Sequence, residues 1–451
     1  MQSDGQRHGR VWVFVGALTL LVAGCANASS NKPSAEATVP SRGPATTVDA
    51  AQLKTNVPVH APGVTSSEIK VAAITSKTNN PVGSFGPFVD GVNAYFRMVN
   101  DNGGIYGRKL VVSADRDDQF GLNRQTVQQS LAQDNAFATF VATALFTGAD
   151  LLAQTQQPVF MWNQNPNFAG HPTFYANFPA ICFTCGSQYL PYAAKQLHAT
   201  KVGILAYGIA QQSKDCAQGY KKSFEKYPTA QVAFFDDSLG YEQPVGPQVT
   251  QMKQKGVTLI LTCVDLQESY TIGKEMQKQG MNAVQQLPYG YNADFMAKNA
   301  SVMEGDLVSV QFTALENKPR IPEIQKLYKY ASEIGVPVGE LTAYGWQVAD
   351  ELYTGLAAAG PNFSQAKVVA ALNSMTAYDD HGFIEPINWR TGHIDPQTHP
   401  EALDPKVCNT WVQVRNGKFV PVYGRPGKPW VCFNRSDPTA DHPQFLSFAR
   451  P

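Results

Sequence analysis

Six cysteines in the body of the chain, Cys182, Cys185, Cys216, Cys263, Cys408 and Cys432, are its most reactive side chains. An even set in an oxidising compartment favours disulfides. Cys408 and Cys432 bracket a stretch, Trp411 to Val422, whose alternating halves meet at Asn416-Gly417. That dipeptide turns a hairpin, so a Cys408–Cys432 bridge is expected. Cys182-x-x-Cys185 has the spacing of a redox pair or half a zinc site. With no second CxxC and no nearby His pair, a structural bridge is expected there. Asp115, Asp117 and Asp118 bring three acids together, yet Arg116 interrupts them and calcium-loop spacing is absent. They read as solvated turn acids or helix caps. His381, His393 and His399 fall in a polar loop without HExxH spacing. No metal and no cofactor is expected. Neither a Gly-x-Ser-x-Gly elbow nor a Walker loop is present, so no catalytic set is expected, although a triad assembled from distant positions leaves no such trace.

The seventh cysteine, Cys25, belongs to a different signal. Arg7 and Arg10 precede an apolar run from Val11 to Val22, followed by Ala23 and Gly24. This is a secretory signal, too short to span a bilayer, which takes roughly 20 apolar residues. Leu21-Val22-Ala23-Gly24-Cys25 resembles the lipobox of bacterial lipoproteins, in which the cysteine thiol takes a diacylglyceryl group. The other reading is an ordinary cleaved signal with an incidental cysteine. Residues 1–24 are thus expected to be the signal and 25–65 a lipidated tether, rich in Ala, Ser, Thr and Pro and too poor in apolar groups to fold. Two or more buried acyl chains would hold the protein at the cell membrane, outside the cytoplasm.

What remains, somewhat under 400 residues, suits two lobes rather than one core. The 36 basic and 36 acidic residues balance, and no single-sign run marks a nucleic-acid surface. IKVAAIT (69–75) is a buried parallel strand and Val89 to Val99 a helix, closed by Asn100-Asp101-Asn102-Gly103-Gly104. Strands at 109–114, 137–142, 159–162, 201–206, 231–235, 258–262 and 307–312 follow. They alternate with helices near 123–134, 188–197, 218–226, 247–255 and 268–279, and two apolar helices follow at 346–359 and 365–372. Such alternation gives an α/β fold with parallel sheets covered on both faces. From Tyr378 onward hairpins are expected, and a loose tail over 435–451.

IKVAAIT, then Gly83-Ser84-Phe85-Gly86, then NDNGGIYGRKLVV and Asp115 to Asp118, resembles the branched-chain amino-acid binding proteins of ABC importers, a family that includes binders of amides and aromatic acids. The likeness runs from about Ile69 to Phe419. It implies two doubly wound parallel-sheet lobes joined by a three-strand hinge, the type I periplasmic binding protein fold. The N-terminal lobe would take 66–185 and 313–396, and the C-terminal lobe 186–312 and 397–434.

In open α/β sheets ligands sit beyond the carboxyl ends of the strands, where helix N-termini offer free N–H groups. The resemblance therefore implies ligand contacts at Phe85, at Phe146 and Thr147, and at Trp162, Asn163 and Gln164. In the other lobe it implies Asp265, Tyr289, Tyr291 and Asn292, with Cys216 near a position that is often Tyr. Amino-acid binders place an acid near the last three; this chain departs there, with Asp265 either replacing that charge or capping the next helix. Phe85 and Phe146 also read as plain core. The expected function is capture of an amino acid, an amide or an aromatic or aliphatic acid by hinge closure. A monomer would then deliver it to an ABC permease in the cytoplasmic membrane, or report to a sensory assembly. A hydrolase without a recognisable motif is the further alternative.

Overall fold

The computed structural model describes residues 52–434 except 82, 163–169, 181, 183–184, 320, 397, 400–405 and 423–429. The signal, Cys25, the first part of the tether, Asn163, Gln164 and the tail lie outside the described residues. Residues 52–65, expected as tether, are instead docked. Leu53, Val59, Ala61 and Val64 pack on the core, and the buried Arg108 donates to the carbonyls of Val57 and Thr65 at 2.7 Å each.

The chain builds β1 (Glu68–Thr75), α1 (Pro87–Asp101), β2 (Lys109–Asp117), α2 (Asn123–Gln133), β3 (Thr139–Ala142), α3 (Ala149–Ala153), β4 (Val159–Met161) and β5 (Phe174–Ala176). A second run follows: α4 (Tyr189–Gln196), β6 (Lys201–Tyr207), α5 (Gln211–Lys226), β7 (Gln231–Leu239), α6 (Gly246–Gln254), β8 (Leu259–Cys263), α7 (Leu266–Gln279), β9 (Val284–Leu287), α8 (Ala293–Lys298), α9 (Ala300–Met303) and β10 (Leu307–Val310). Then come α10 (Pro322–Glu333), α11 (Glu340–Ala359), α12 (Gln365–Asn373), α13 (Trp389–Gly392), β11 (Lys406–Arg415), β12 (Lys418–Pro421) and β13 (Val431–Asn434).

Two sheets result. The first is parallel, in the order β2-β1-β3-β4-β5, and the second runs β7-β6-β8-β9-β10 before antiparallel β11 and β12. The two halves repeat one winding order, and in each the order reverses beside its first strand, between β1 and β3 and between β6 and β8. These are the crevices where doubly wound sheets take ligands. The fold is the two-lobed α/β one that the sequence implied.

Three crossings join the sheets: after β5, after β10, and before β11. Phe312 in the second crossing bridges to Ile384, and the Thr313 amide donates to Phe383 at 2.7 Å. Between the second and third crossings the chain returns to the first sheet, where α11 lies along α1. Gly91 and Gly345 allow that approach, since a Cβ at either would collide with the facing carbonyl of Thr342 or Phe88.

The hairpin turns at Asn416 and Gly417, both at positive φ (50° and 69°) as a two-residue turn of this type demands. Cys408 and Cys432 form the expected disulfide, but Cys432 sits on β13, which pairs with the opposite end of β11 from β12. Cys182 bridges Cys185, and Cys216 bridges Cys263. Of the acids at 115–118, Asp115 is exposed and Asp117 accepts the Gln119 amide across a turn at 2.9 Å, as expected, and only Asp118 departs from expectation. Asp115 and Asp117 close β2, and Asp118 is fully buried, because the Ser76 and Thr143 hydroxyls and the Asn123 amide supply it with donors at 2.6–2.9 Å. His393 is not a loop residue in water: its ring stacks on Trp389 and its Nε2 bonds the Phe174 carbonyl at 2.8 Å.

Candidate binding site

A cavity of about 550 Å³ opens where the carboxyl ends of both sheets converge. This is the size of a site that encloses a small organic molecule. From the first sheet, Thr143, Ala144 and Phe146 enter after β3, Trp162 after β4, and Asn177 after β5, with Phe85 ahead of α1. From the second, Tyr207 ends β6, Tyr241 follows β7, Cys263 ends β8 and Asp265 follows it, and Tyr289 follows β9. The first turns of α5 add Ser213 and Cys216, and the start of α11 adds Glu340 and Tyr344.

Aromatic rings bridge the two sides. Phe85 and Trp162 meet edge to face at 4.9 Å, and Tyr289 from across the cavity approaches them at 6.5 and 5.5 Å. Phe120, after β2, touches Tyr241 at 6.2 Å. Ring pairs at such separations attract beyond the area they bury.

The polar groups have specific partners. Asp265 caps α7, accepting from the amides of Gln267 and Glu268 at 2.8 and 3.1 Å, and it also takes the Tyr207 hydroxyl. Asp265 therefore caps the helix, as one of its two readings had it, and also lines the cavity. Glu340 accepts the amides of Gly290 and Tyr291 at 2.9 and 2.8 Å. Burial nevertheless pushes its carboxyl up to about 7, against which those two amides and the Tyr344 hydroxyl pull down. Burial, then Glu340, then Asp265 raise the Tyr289 hydroxyl, so that ring stands within the field of both acids.

Of the residues expected at the site, Phe85, Phe146, Trp162, Asp265 and Tyr289 line the cavity, as does Cys216. Phe85 and Phe146 are core residues as well, buried at 2% and 9% exposure, with Phe146 stacked on Phe174. Thr147, Tyr291 and Asn292 lie outside the lining. Thr147 is exposed, its carbonyl held by Arg124 at 3.1 Å. Tyr291 is buried behind the wall, bonded to Glu316 and tilted against the Phe419 ring at 4.5 Å. Asn292 caps α8 through the Phe295 amide at 2.9 Å.

An acid does stand near Tyr289 and Tyr291, brought there from a distant stretch. Glu340 reaches that place from the start of α11, and only its position after Gly339 at a helix start hinted at a special role. Tyr207 and Tyr241 were also missed, since each reads as an ordinary strand-end aromatic. Ser213 was missed because α5 begins at Gln211, seven residues before its apolar spacing becomes visible.

The comparisons with known proteins agree with this fold. A family model described as periplasmic binding protein matches residues 68–399. A fatty acid ABC transporter substrate-binding protein from Thermomonospora curvata shares the fold at a TM-score of 0.67 and 16% identity, covering 86% of this chain and 98% of its own. A solute-binding protein of an ABC transporter from R. palustris, solved with 4-hydroxybenzoate, aligns at a TM-score of 0.64 and 17% identity over 79% of this chain and 95% of its own. A branched-chain amino-acid ABC transporter protein from Thermus thermophilus, solved with valine, gives 0.60 and 14% over 79% and 95%. No curated protein sequence matches the chain.

Proposed function

The chain belongs to the periplasmic binding protein family, and from that premise we propose that it captures a small organic solute between its lobes and presents the closed form to an ABC permease. The family binds small molecules outside the cytoplasm and is a family of binders rather than of enzymes. The observation that carries the reading is the placing of Phe85 and Trp162 on one side of the cavity and Tyr289 on the other, at the carboxyl ends of opposed sheets.

A guest touching both sides stabilises the closed form by its differential affinity for it, and that free energy drives hinge closure. Asp265 and Glu340 orient the guest, and the rings cover it. We further propose that the chain acts as a monomer, held at the membrane by a lipid on Cys25. No described helix is long and apolar enough to cross a membrane.

A thermal-shift screen of amino acids, amides, acids and amines tests the reading, since a guest of the folded state raises the unfolding temperature. Trp162→Ala is expected to lower the affinity of any hit by roughly tenfold, while Thr147→Ala, outside the lining, leaves it unchanged. Equal affinities in both variants and the parent would refute the site. Product formed from a hit would refute the non-enzymatic reading.

A further inference from the structure

In a doubly wound sheet the hydroxyls and amides beyond a strand end can hold an anion, but in this chain those beyond β3 are consumed internally. The Thr143 hydroxyl donates to Asp118 at 2.6 Å, and the Ser76 hydroxyl donates to the same carboxyl at 2.7 Å. The following amides are occupied as well: Ala144 bonds the Ser76 hydroxyl at 3.3 Å, Thr147 the Leu145 carbonyl at 2.9 Å, and Gly148 the Asn123 side chain at 2.9 Å. Across the cavity the start of α7 is closed by Asp265, which takes the two amides that an anion would need. The start of α7 is thus closed by an acid and these amides beyond β3 by neighbouring groups, which leaves the start of α5, where no side chain caps the helix, as the remaining place for an anion.

The remaining wall has the opposite polarity. Among the described residues that line the cavity there is no Lys, Arg or His, whereas Asp265, Glu340 and Glu385 are all present. Thr143 lines the cavity with its hydroxyl already donating to Asp118. Phe85, Trp162 and Tyr289 add ring faces, which attract a cation or an apolar group and repel an anion. A carboxylate brought here would lose its water and meet like charge at Asp265 and Glu340, with neutral donors such as the Trp162 indole and the Tyr241 and Tyr289 hydroxyls but no cation in the described lining to balance it.

We propose that the guest is an apolar molecule ending in an uncharged or positively charged hydrogen-bond donor, such as an amide, an alcohol or an amine, and that the cavity rejects the corresponding carboxylate. The donor end lies against Asp265 and Glu340, and the apolar part against Phe85, Trp162 and Tyr289. This rests on the capture reading above and narrows it to a chemical class.

Two matched series test it by titration calorimetry at pH 8: 3-phenylpropanoate with its amide, alcohol and amine, and octanoate with its three counterparts. The expected result is that at least one donor-ended member of a series binds tenfold or more tighter than its carboxylate. In Glu340→Gln the amine is expected to lose affinity while the alcohol keeps it. A carboxylate that binds as tightly as its amide, alcohol and amine, or tighter, overturns the proposal and seats the anion at the start of α5, near Ala210 and Gln212. If no member of either series binds and a broad screen of small solutes also finds none, the capture reading itself falls, and this inference with it.

Discussion

Replacing Tyr289 with alanine removes both ring contacts by which it reaches across the cavity, to Phe85 at 6.5 Å and to Trp162 at 5.5 Å. Each such pair is worth about 0.5–1.5 kcal/mol, so the closed form loses about 1–3 kcal/mol relative to the open one. A shift of that size changes the ratio of closed to open molecules by roughly 5- to 150-fold. The Phe85–Trp162 pair lies on one side and is untouched, as is the Phe120–Tyr241 bridge, so the lobes themselves stay folded. Small-angle X-ray scattering of the guest-free protein reads the change as a larger radius of gyration. Tyr289→Phe keeps the ring and is expected to scatter like the parent. An alanine variant with the parent's radius of gyration and the parent's affinity for a guest would refute the view that these rings latch the lobes.

Two further perturbations follow from the site. Burial holds Glu340 protonated up to about 7, above the ordinary range of a glutamate, so its contribution to stability is full at low pH and is lost as pH rises through 7. Glu340→Gln, an isostere of the protonated form, is expected to match the parent at pH 4, below the ordinary value of 4.5, and to exceed it by about 3 kcal/mol at pH 8.5 in denaturant unfolding; a constant difference across that range would refute the assignment. The Cys216–Cys263 bridge closes a loop of separation 47 between α5 and β8 in the cavity wall. Replacing both cysteines with serine is expected to cost about 4 kcal/mol of stability by the chain-entropy relation, and a loss under about 1 kcal/mol would show that the loop is already ordered without it.

The winding order of the lobes was legible because each parallel strand is an unbroken apolar run and each covering helix keeps its spacing. β9 escaped notice for the opposite reason. Gln285 and Gln286 interrupt its run, and both are buried because Asp306 and Ser309 meet their side-chain amides at 3.0 and 3.1 Å. A polar residue satisfied by a distant partner looks like a surface residue until that partner is known. The same limit governed the site. Phe85, Trp162 and Tyr289 follow strand ends and could be found by position along the chain. Glu340 could not, because its place is set by how α11 packs on α1, and Thr147 was chosen for its chemistry although its side chain faces water. Asp118 does accept the Phe120 amide across a turn, but it was read as solvated because nothing local reveals that Ser76 and Thr143 converge on it.

The central claim is that opposed strand ends enclose one guest, and a crystal structure grown with a hit from the ligand screen tests it most directly. The account predicts guest density bounded by Phe85 and Trp162 on one side and by Tyr289 and Asp265 on the other. Density elsewhere on the protein, with that space filled only by water, would contradict it.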